Sequence, residues 1–293
     1  MAGGLESFEL KPVTNLSWDA RGGSPSTREY GGPEQMKAQQ NVVVAGLGEV
    51  GKPLFQLAAR HHHVIGVDLE PAKTQVGTVD VLHICFPFEI KDFLGEVVRY
   101  IKLFEPTLTV INSTVGIGTT RAIAERSGAA VVNSPVRGKH VCMLEELQHY
   151  TKFIGSDDPA AARLAASHFE SMGLKTKTLS SSEATELAKL TETTYFGLMI
   201  AWAQEVERYC DRLHQDYAEV SSFYDEIKFF PQVKYFPGVI GGHCVMPNIN
   251  ILCKFEDSAL LEAIKKSNQQ KIARDAAAKT AEKLSSIPAE AAR

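Results

Sequence analysis

The chain has 293 residues and a hydrophobic content of 44%, enough to bury one large core or two moderate ones. Its formal net charge is −4 and it has no long basic block, so nothing indicates binding to nucleic acid or to an anionic membrane. The N-terminus carries Glu6, Glu9 and Lys11 where a secretory signal has an apolar core. No stretch approaches the roughly 18 apolar residues of a membrane span.

Cysteine and histidine content gives no indication of a metal site. The five cysteines are odd in number and scattered, and no C-x-x-C pair suggests structural zinc. We therefore expect no disulfide framework and predict a protein of the reducing cytoplasm. The run His61–His63 has metal-ligating side chains, but it lies where a predicted helix gives way to a predicted strand, and we interpret it as a solvated turn.

Residues 1–39 are rich in Gly, Ser, Pro and charged residues and show little periodicity. This composition predicts a flexible N-terminal extension, in which Leu16 and Trp18 are candidates for local docking. No function is legible in this segment.

A short apolar run at 42–45 leads into Gly46-Leu-Gly-Glu-Val-Gly51 and then into a helical pattern. In such a strand–turn–helix unit the first glycine allows a tight turn, the second lets a pyrophosphate approach the backbone, and the third lets the helix pack on the strand. The amides and dipole at the helix start favour a diphosphate. A second strand ends at Asp68, 22 residues after Gly46, where a carboxylate accepts from ribose hydroxyls and repels a 2′-phosphate. The motif therefore predicts NAD binding.

Two alternatives to a NAD site remain for this motif. The glycines are also compatible with a turn kept for packing alone. The segment from Gly46 to Lys52 matches most of a P-loop, but Pro53 stands where a Ser or Thr must hold magnesium.

Strands and helical patterns alternate from Asn41 to Leu179. Strands are predicted at 42–45, 63–67, 79–86, 107–112, 129–133, 150–155 and 174–179, and helices at 90–104, 116–127 and 159–172. This alternation predicts a parallel sheet covered on both faces, with ligands at the carboxyl ends of its strands. The predicted cofactor-binding residues at these ends are Gly46, Gly48, Glu49, Val50, Gly51, Asp68, Pro87, Ser113 and Thr114.

The pattern becomes helical after Leu179. Helices are predicted at 182–213, 217–230 and 259–284, with a loop at 236–247. The fold class is therefore α/β, with an N-terminal Rossmann-type doubly wound parallel sheet in residues 40–179 and an α-helical substrate and dimerisation domain in residues 180–293. The long helices are suited to a homodimer, although amphipathic helices also pack within one subunit.

Cys244 and Lys189 are the strongest candidates for chemistry. Cys244 lies beside His243 in a glycine-rich, proline-bounded loop, where a thiolate would be little shielded, although an inert buried thiol is the alternative. The other four cysteines lie in strand or helix patterns and are interpreted as structural. Lys189 shares a helix face with Thr193 and is placed to stabilise an alkoxide or move a proton, the alternative being a surface lysine with a buried stem.

Four motifs together resemble the UDP-glucose/GDP-mannose dehydrogenase family, in that family's order, over about residues 40–270. They are Gly46-Leu-Gly-Glu-Val-Gly51, Asn112-Ser-Thr-Val-Gly-Ile-Gly-Thr-Thr120, Glu186-Leu-Ala-Lys-Leu-Thr-Glu192 and Pro237-Gly-Val-Ile-Gly-Gly-His-Cys244. The resemblance implies oxidation of the C6 alcohol of a nucleotide sugar to a carboxylate in two hydride transfers to NAD. It also implies a Cys244 thiolate that forms a thiohemiacetal and then a thioester, Lys189 stabilising oxyanions, Thr114 positioning water or substrate, and His243 at the substrate.

The chain departs from that family's pattern at three positions. Thr193 stands where the family has Asn, Asn248 where it has an Asp that helps to activate water, and Val136 where it has a Glu after the Ser-Pro pair. We keep Thr193 and Asn248 as candidate catalytic positions. The family also carries a second Rossmann-like domain that binds the nucleotide, so we expect a shortened member for which one two-electron oxidation is more plausible than two.

Asn133-Ser-Pro-Val-Arg-Gly138 resembles the substrate-binding segment of the β-hydroxyacid dehydrogenases. This second resemblance implies a catalytic Lys189 without a role for Cys244, and an Arg137 that holds a substrate carboxylate by a bidentate contact. Arg137 is equally compatible with a surface or backbone-bracing role. We predict a NAD-dependent oxidoreductase acting on a small sugar-derived or hydroxyacid substrate, and the non-enzyme alternative is a NAD-binding module that has lost catalysis.

Overall fold

The computed structural model describes residues 39–68, 77–138, 142–227, 235–241 and 244–285, with side chains described as far as residue 281. Its strands are β1 (Asn41–Ala45), β2 (His63–Val67), β3 (Val81–Ile84), β4 (Leu108–Ile111), β5 (Val131–Asn133), β6 (Lys152–Gly155) and β7 (Thr176–Leu179). Its helices are α1 (Gly51–Ala58), α2 (Phe93–Phe104), α3 (Thr119–Ser127), α4 (Met143–His149), α5 (Pro159–Ser171), α6 (Ser182–Leu213), α7 (Tyr217–Ser222), α8 (Val245–Phe255) and α9 (Ala259–Ser285).

The seven strands form one sheet in the order β2-β1-β3-β4-β5-β6-β7. Strands β1 to β5 are parallel to their neighbours, as are β6 and β7. The pair β5–β6 is antiparallel and rests on a single bridge between Asn133 and Gly155, so the prediction of a wholly parallel sheet is wrong there. In the described part of the connection between these strands, α4 is the one helix. A short connection is sufficient here, because antiparallel strands do not need the long crossover that joins parallel ones.

Helices cover both faces of the sheet because successive side chains of a strand point to opposite faces. In β1, Val42 and Val44 pack with residues of α1, α4 and α5. Val43 and Ala45 pack with residues of α2 and α3 on the other face. This arrangement confirms the α/β fold class with a doubly wound sheet.

The helical second half differs from its prediction in two places. Helix α6 has the predicted bounds, but α7 ends at Ser222, and residues 228–230 of the predicted helix lie outside the described residues. The predicted loop at 236–247 ends early because α8 begins at Val245. A separate core joins α6, α8 and α9 through Leu190, Ile249 and Ile264. The N-terminal extension also lies outside the described residues, and the division at residue 180 stays a prediction.

The histidine run is only partly solvated. His61 and His63 are exposed, but His62 is 5% exposed and its ring stacks on that of His168 at 5.3 Å. The solvated-turn prediction is therefore wrong for His62, because His168 and Ser171 of α5 pack against its ring. Among the described residues, no group of His, Cys, Asp and Glu side chains is arranged to hold a metal ion. Within the same ranges no helix has the length and apolar character needed to cross a membrane.

Candidate active site

A cleft of about 590 Å³ opens at the carboxyl ends of β1, β3 and β4 and is closed by α6 and the start of α8. Most of the predicted site residues line it together. These are Gly46, Gly48, Glu49, Val50, Asp68, Pro87, Ser113, Thr114, Lys189, Cys244 and Asn248. Gly51, Thr193 and Arg137 lie behind or beside the lining, and His243 lies outside the described residues.

The three glycines of the turn differ in what an added side chain would meet. Gly46 has φ +89°, and an added Cβ would lie 2.8 Å from the backbone nitrogen of Phe86. At Gly51 an added Cβ would lie 1.7 Å from the carbonyl oxygen of Gly46, so the helix start packs directly on the turn. At Gly48 an added Cβ would meet no described atom within 4 Å, although the residue lines the cleft. Packing explains Gly46 and Gly51, whereas the open space at Gly48 is what the close approach of a pyrophosphate requires.

The acidic residue after β2 lies at the edge of the same cleft. Asp68 is exposed, and its backbone carbonyl accepts a hydrogen bond of 3.3 Å from the hydroxyl of Tyr100 on α2. The contact holds the end of β2 beside the glycine turn. The carboxylate is thus placed where a bound dinucleotide would present its adenine ribose.

Ser113 joins the ends of two strands. It is buried, and its hydroxyl donates to the carbonyl of Phe86 after β3 at 2.6 Å. Thr114 and Pro87 also line the cleft. The predicted pair Ser113–Thr114 therefore helps to shape the cleft floor.

Lys189 reaches the cleft from α6 with its side chain 13% exposed, so the alternative of a surface lysine is wrong. Burial lowers the pKa of its ammonium, and the nearby Arg137 lowers it as well. Glu192, whose carboxylate lies 3.7 Å from Nζ, and Cys244 oppose this shift. The amine is consequently closer to its neutral form than a solvated lysine, as a group that accepts a proton needs to be.

Cys244 is the N-cap residue of α8 and lines the cleft. Burial raises the pKa of its thiol, Lys189 lowers it, and Glu49 raises it further. The net shift is upward, so the site favours the thiol over the thiolate that a nucleophile requires. Cys85, interpreted from the sequence as structural, also lines the cleft, and burial raises the pKa of that thiol to about 12.

Two of the departures from the family pattern touch each other. Asn248, on α8, is buried and its side-chain amide donates to the hydroxyl oxygen of Thr193 on α6 at 2.9 Å. Thr193 in turn donates to the backbone carbonyl of Lys189 at 3.0 Å. These neutral groups brace the lysine-bearing turn of α6, and neither can act as the base that a carboxylate would supply.

Arg137 lies outside the main cleft, in a side cavity of about 170 Å³ that shares Lys189 as a wall. Its guanidinium donates to one carboxylate oxygen of Glu192 at 2.7 Å and 3.0 Å and lies 5.1 Å from the ring of Tyr150. The arginine therefore braces α6 in this state, and a substrate carboxylate would have to displace Glu192 to bind it.

Sequence reasoning missed two buried charged groups near the cleft. Glu186 is 2% exposed and accepts from the amides of Gly118 and Thr120 at 2.6 Å and 2.9 Å, and from the Thr120 hydroxyl at 2.6 Å. It thus caps α3 from α6, while burial raises its pKa against the lowering effect of those donors. Lys152, on β6, is 4% exposed. The available signal for Lys152 was a lysine inside an apolar strand run.

The doubly wound sheet, the glycine turn and a cleft at the strand carboxyl ends define the class, a Rossmann-type α/β protein. Residues 183–270 match the model of the UDP-glucose/GDP-mannose dehydrogenase family, central domain. The UDP-N-acetyl-D-mannosamine dehydrogenase of Methanococcus vannielii is 26% identical in an alignment that covers 70% of this chain and 59% of that relative.

Solved structures share the fold. A UDP-D-ManNAc dehydrogenase from Pyrococcus horikoshii has a TM-score of 0.70 at 20% identity, covering 81% of this chain and 70% of that chain. The 3-hydroxyisobutyrate dehydrogenase of Mycobacterium tuberculosis has a TM-score of 0.60 at 17% identity, covering 79% of this chain and 93% of that chain. The match to the family's central-domain model and the similarity to these dehydrogenases confirm the resemblance of the chain's motifs to that family. It spans 59% of the length of the first curated relative that it matches.

Proposed function

We propose that the chain is a NAD-dependent oxidoreductase that oxidises an alcohol carbon of a sugar-derived or hydroxyacid substrate. The observation that carries the proposal is the single cleft in which the glycine turn, Ser113–Thr114, Lys189 and Cys244 meet. A dinucleotide lying across the turn would bring its reactive end toward the lysine and the cysteine.

The donor and acceptor groups of the cleft fit NAD. The open space at Gly48 and the amides at the start of α1 suit a pyrophosphate. Asp68 suits the ribose hydroxyls and disfavours a 2′-phosphate, so NAD is preferred to NADP. When bound, the nicotinamide supplies the hydride acceptor, and the chain's own residues hold the substrate and take its proton.

Lys189 is the residue proposed to handle the proton. Its partly neutral amine accepts the hydroxyl proton as the alcohol carbon gives up its hydride, which leaves a carbonyl and an ammonium. The ammonium then lies beside the new carbonyl oxygen and offsets its partial charge. Thr193 and Asn248 keep the lysine in place, and Thr114 contributes to the floor beneath the reacting carbon.

One two-electron oxidation is favoured over two. A second oxidation needs a thiolate nucleophile and a base for water, whereas the pKa of Cys244 is raised and Asn248 is neutral. Cys244 would then shape the substrate end of the cleft without forming a covalent bond. The names of the relatives favour a sugar-derived substrate, and the second candidate is a β-hydroxyacid, favoured by Arg137 beside Lys189. A NAD-binding module without catalysis is the non-enzyme alternative.

The experiment that tests the proposal follows NADH absorbance with nucleotide sugars, free sugar acids and 3-hydroxyacids. The expected result is turnover with one NADH per substrate, retained in Cys244→Ala. Cys253→Ala, a cysteine on α8 outside the cleft lining, is the matched control. A yield of two NADH per substrate, lost in Cys244→Ala, would replace the proposal with the full nucleotide-sugar oxidation. NAD binding with no turnover on any substrate would favour the non-catalytic module.

We also propose a homodimer formed through α6. Tyr195, Trp202 and Tyr209 repeat every seven residues along this helix and are 53%, 52% and 47% exposed. A stripe of large aromatic side chains on one face is typical of a helix that packs against another. Sedimentation equilibrium of the full chain beside Trp202→Glu is expected to give a dimer and a monomer, respectively. Monomeric wild type at micromolar concentration would contradict this. A cytoplasmic location remains part of the proposal, supported by five cysteines of which none forms a disulfide.

A further inference from the structure

The buried amine of Lys152 touches the ends of two strands at once. From β6, its Nζ lies 3.2 Å from Oδ1 of Asn112, 2.5 Å from the carbonyl oxygen of Ser134 and 3.3 Å from that of Pro135. Asn112 directly follows β4, and Ser134 directly follows β5. One side chain therefore joins three neighbouring strands at their cleft end.

The surroundings of Lys152 match an ammonium. Three acceptors surround the three N–H donors of a protonated lysine, and the ring of Phe169 lies 5.2 Å from Nζ. The charged or titratable groups that act on its pKa are Cys85 and Lys189, with no carboxylate among them in the described part of the chain. The charge is thus balanced by carbonyl dipoles.

Asn112 is held from its other side by a buried chain of imidazoles. Its amide Nδ2 lies 3.0 Å from Nδ1 of His83, and Nε2 of His83 lies 2.9 Å from Nε2 of His168. Burial lowers the pKa of His83 well below its usual value and that of His168 to about 3, so both rings are neutral near pH 7. The orientation of Asn112 is set by a neutral ring on one side and by Lys152 on the other.

The residues that Lys152 holds lead directly into the cleft. Asn112 lines the cleft and is followed by Ser113 and Thr114, which line it as well. Ser134 and Pro135 do not line it themselves, but they precede Val136 and Gly138, which do. The β5–β6 pairing consists of one bridge, so the backbone ladder alone does little to hold β5 against β6 at this end. Two side chains add cross-connections there: the Ser134 hydroxyl donates to the carbonyl of Phe153 at 2.6 Å, and Lys152 ties β6 to the ends of both β4 and β5.

We infer that Lys152 is a positioning residue of the cleft, which holds the ends of β4 and β5 in the arrangement that binds the dinucleotide and the substrate. This inference rests on the proposed function only where NAD is used as a probe. The hydrogen bonds by which Lys152 holds the strand ends can be tested on the protein alone.

The protonation state of Lys152 gives the inference a distinctive signature. Burial, and to a smaller extent Lys189 on α6, lower its pKa to about 7, although Cys85 after β3 opposes the shift. Of the other titratable groups packed around it, His83 on β3 and His168 on α5 stay neutral above pH 6.5. Because the pKa of a solvated lysine is higher, any opening that exposes the amine must take up a proton above about pH 7, so opening becomes more costly as the pH rises.

The test compares amide hydrogen exchange in Lys152→Met and wild type at about pH 6, where the lysine is charged. Methionine keeps the apolar stem and removes the donors. Exchange at residues 112–114 and 134–138, corrected for intrinsic rates, is expected to be at least about tenfold faster in the variant, and NAD binding severalfold weaker. Lys271→Met is the matched control, since Lys271 is an equally buried lysine on α9 that pairs with Glu207. It is expected to leave both segments unchanged.

A pH series on wild type provides a second readout that does not depend on the variant folding. Between about pH 6 and pH 8.5 the same two segments are expected to gain protection, and folded Lys152→Met is expected to show no such change. Constant protection of wild type across this range, or equal exchange in folded Lys152→Met and wild type, overturns the inference. Failure of wild type to bind NAD would count against the proposed function and leave the exchange result to decide the role of Lys152.

Discussion

Lys189→Met is expected to lower kcat at least about a hundredfold while NAD affinity stays within about twofold of wild type. The side chain enters the cleft from α6 beside Cys244 and is not part of the glycine turn. Removing it deletes the proposed proton acceptor and leaves the groups that would bind the pyrophosphate and ribose untouched. Methionine preserves the apolar stem, so the packing of α6 is kept.

The pH dependence distinguishes a chemical role from a positioning role. Since burial lowers the pKa of Lys189, kcat in the oxidation direction is expected to rise with pH as the amine loses its proton, with the midpoint below that of a solvated lysine. Glu192→Gln removes the carboxylate that raises this pKa, so the midpoint is expected to move to lower pH.

The control for these variants is Lys265→Met, a half-buried lysine on α9 that pairs with Glu262 outside the cleft lining. It is expected to leave both kcat and its pH profile unchanged. Steady-state kinetics across pH, with NAD affinity measured by calorimetry, checks all three variants. A Lys189→Met enzyme with kcat within about threefold of wild type would remove Lys189 from the chemistry.

Gly51→Ala is expected to lower the stability of the protein, whereas Gly48→Ala is expected to lower its affinity for NAD. At Gly51 the new methyl would overlap the carbonyl oxygen of Gly46, and the Cβ of Cys85 lies 3.1 Å from it. We expect a loss of unfolding free energy of about 4 kcal/mol or more, since overpacking against backbone cannot be relieved by a rotamer change. At Gly48 the methyl meets nothing within 4 Å, so stability is expected to change by less than about 1 kcal/mol.

The binding consequence of Gly48→Ala is the informative half. The methyl would occupy the space that a pyrophosphate needs, so NAD affinity is expected to fall at least about tenfold in a fully folded protein. Urea unfolding followed by tryptophan fluorescence gives the stability, and calorimetry with NAD gives the affinity. Unchanged NAD affinity in Gly48→Ala would mean that the turn is kept for packing and that the dinucleotide site lies elsewhere.

Local sequence carried enough information for the turn, most of the strands and α6. The glycine motif is short-range chemistry, and the runs of β1, β3 and β4 are mostly apolar, as is typical of strands covered on both faces, with His83 and Thr109 as buried polar exceptions. Cys244 and Lys189 were recognisable because a thiol in a glycine loop and a lysine on an apolar helix face are unusual in themselves. The cleft brings both to the glycine turn.

Features that depend on distant partners were not readable. The sequence does not predict helix α8, because Pro247 is typical of the end of a loop. Proline is, however, tolerated in the first turn of a helix, and Pro247 lies in the first turn of α8. The direction of β6 is set by the path of the chain through α4, which periodicity does not encode. Lys152 could not be recognised as a buried cation because its acceptors are 17, 18 and 40 residues away in the chain.

The carboxylate of Glu186 has a consequence for how a cofactor enters and leaves. It belongs to α6 but accepts hydrogen bonds at the start of α3. A movement of α6 away from the sheet would leave three hydrogen-bond donors and the carboxylate without their partners. These hydrogen bonds between α3 and α6 make a wide bending motion at residues 180–182 energetically costly. The residence time of a bound nucleotide would therefore be governed by small movements at the mouth of the cleft, with the two walls keeping their separation throughout the catalytic cycle.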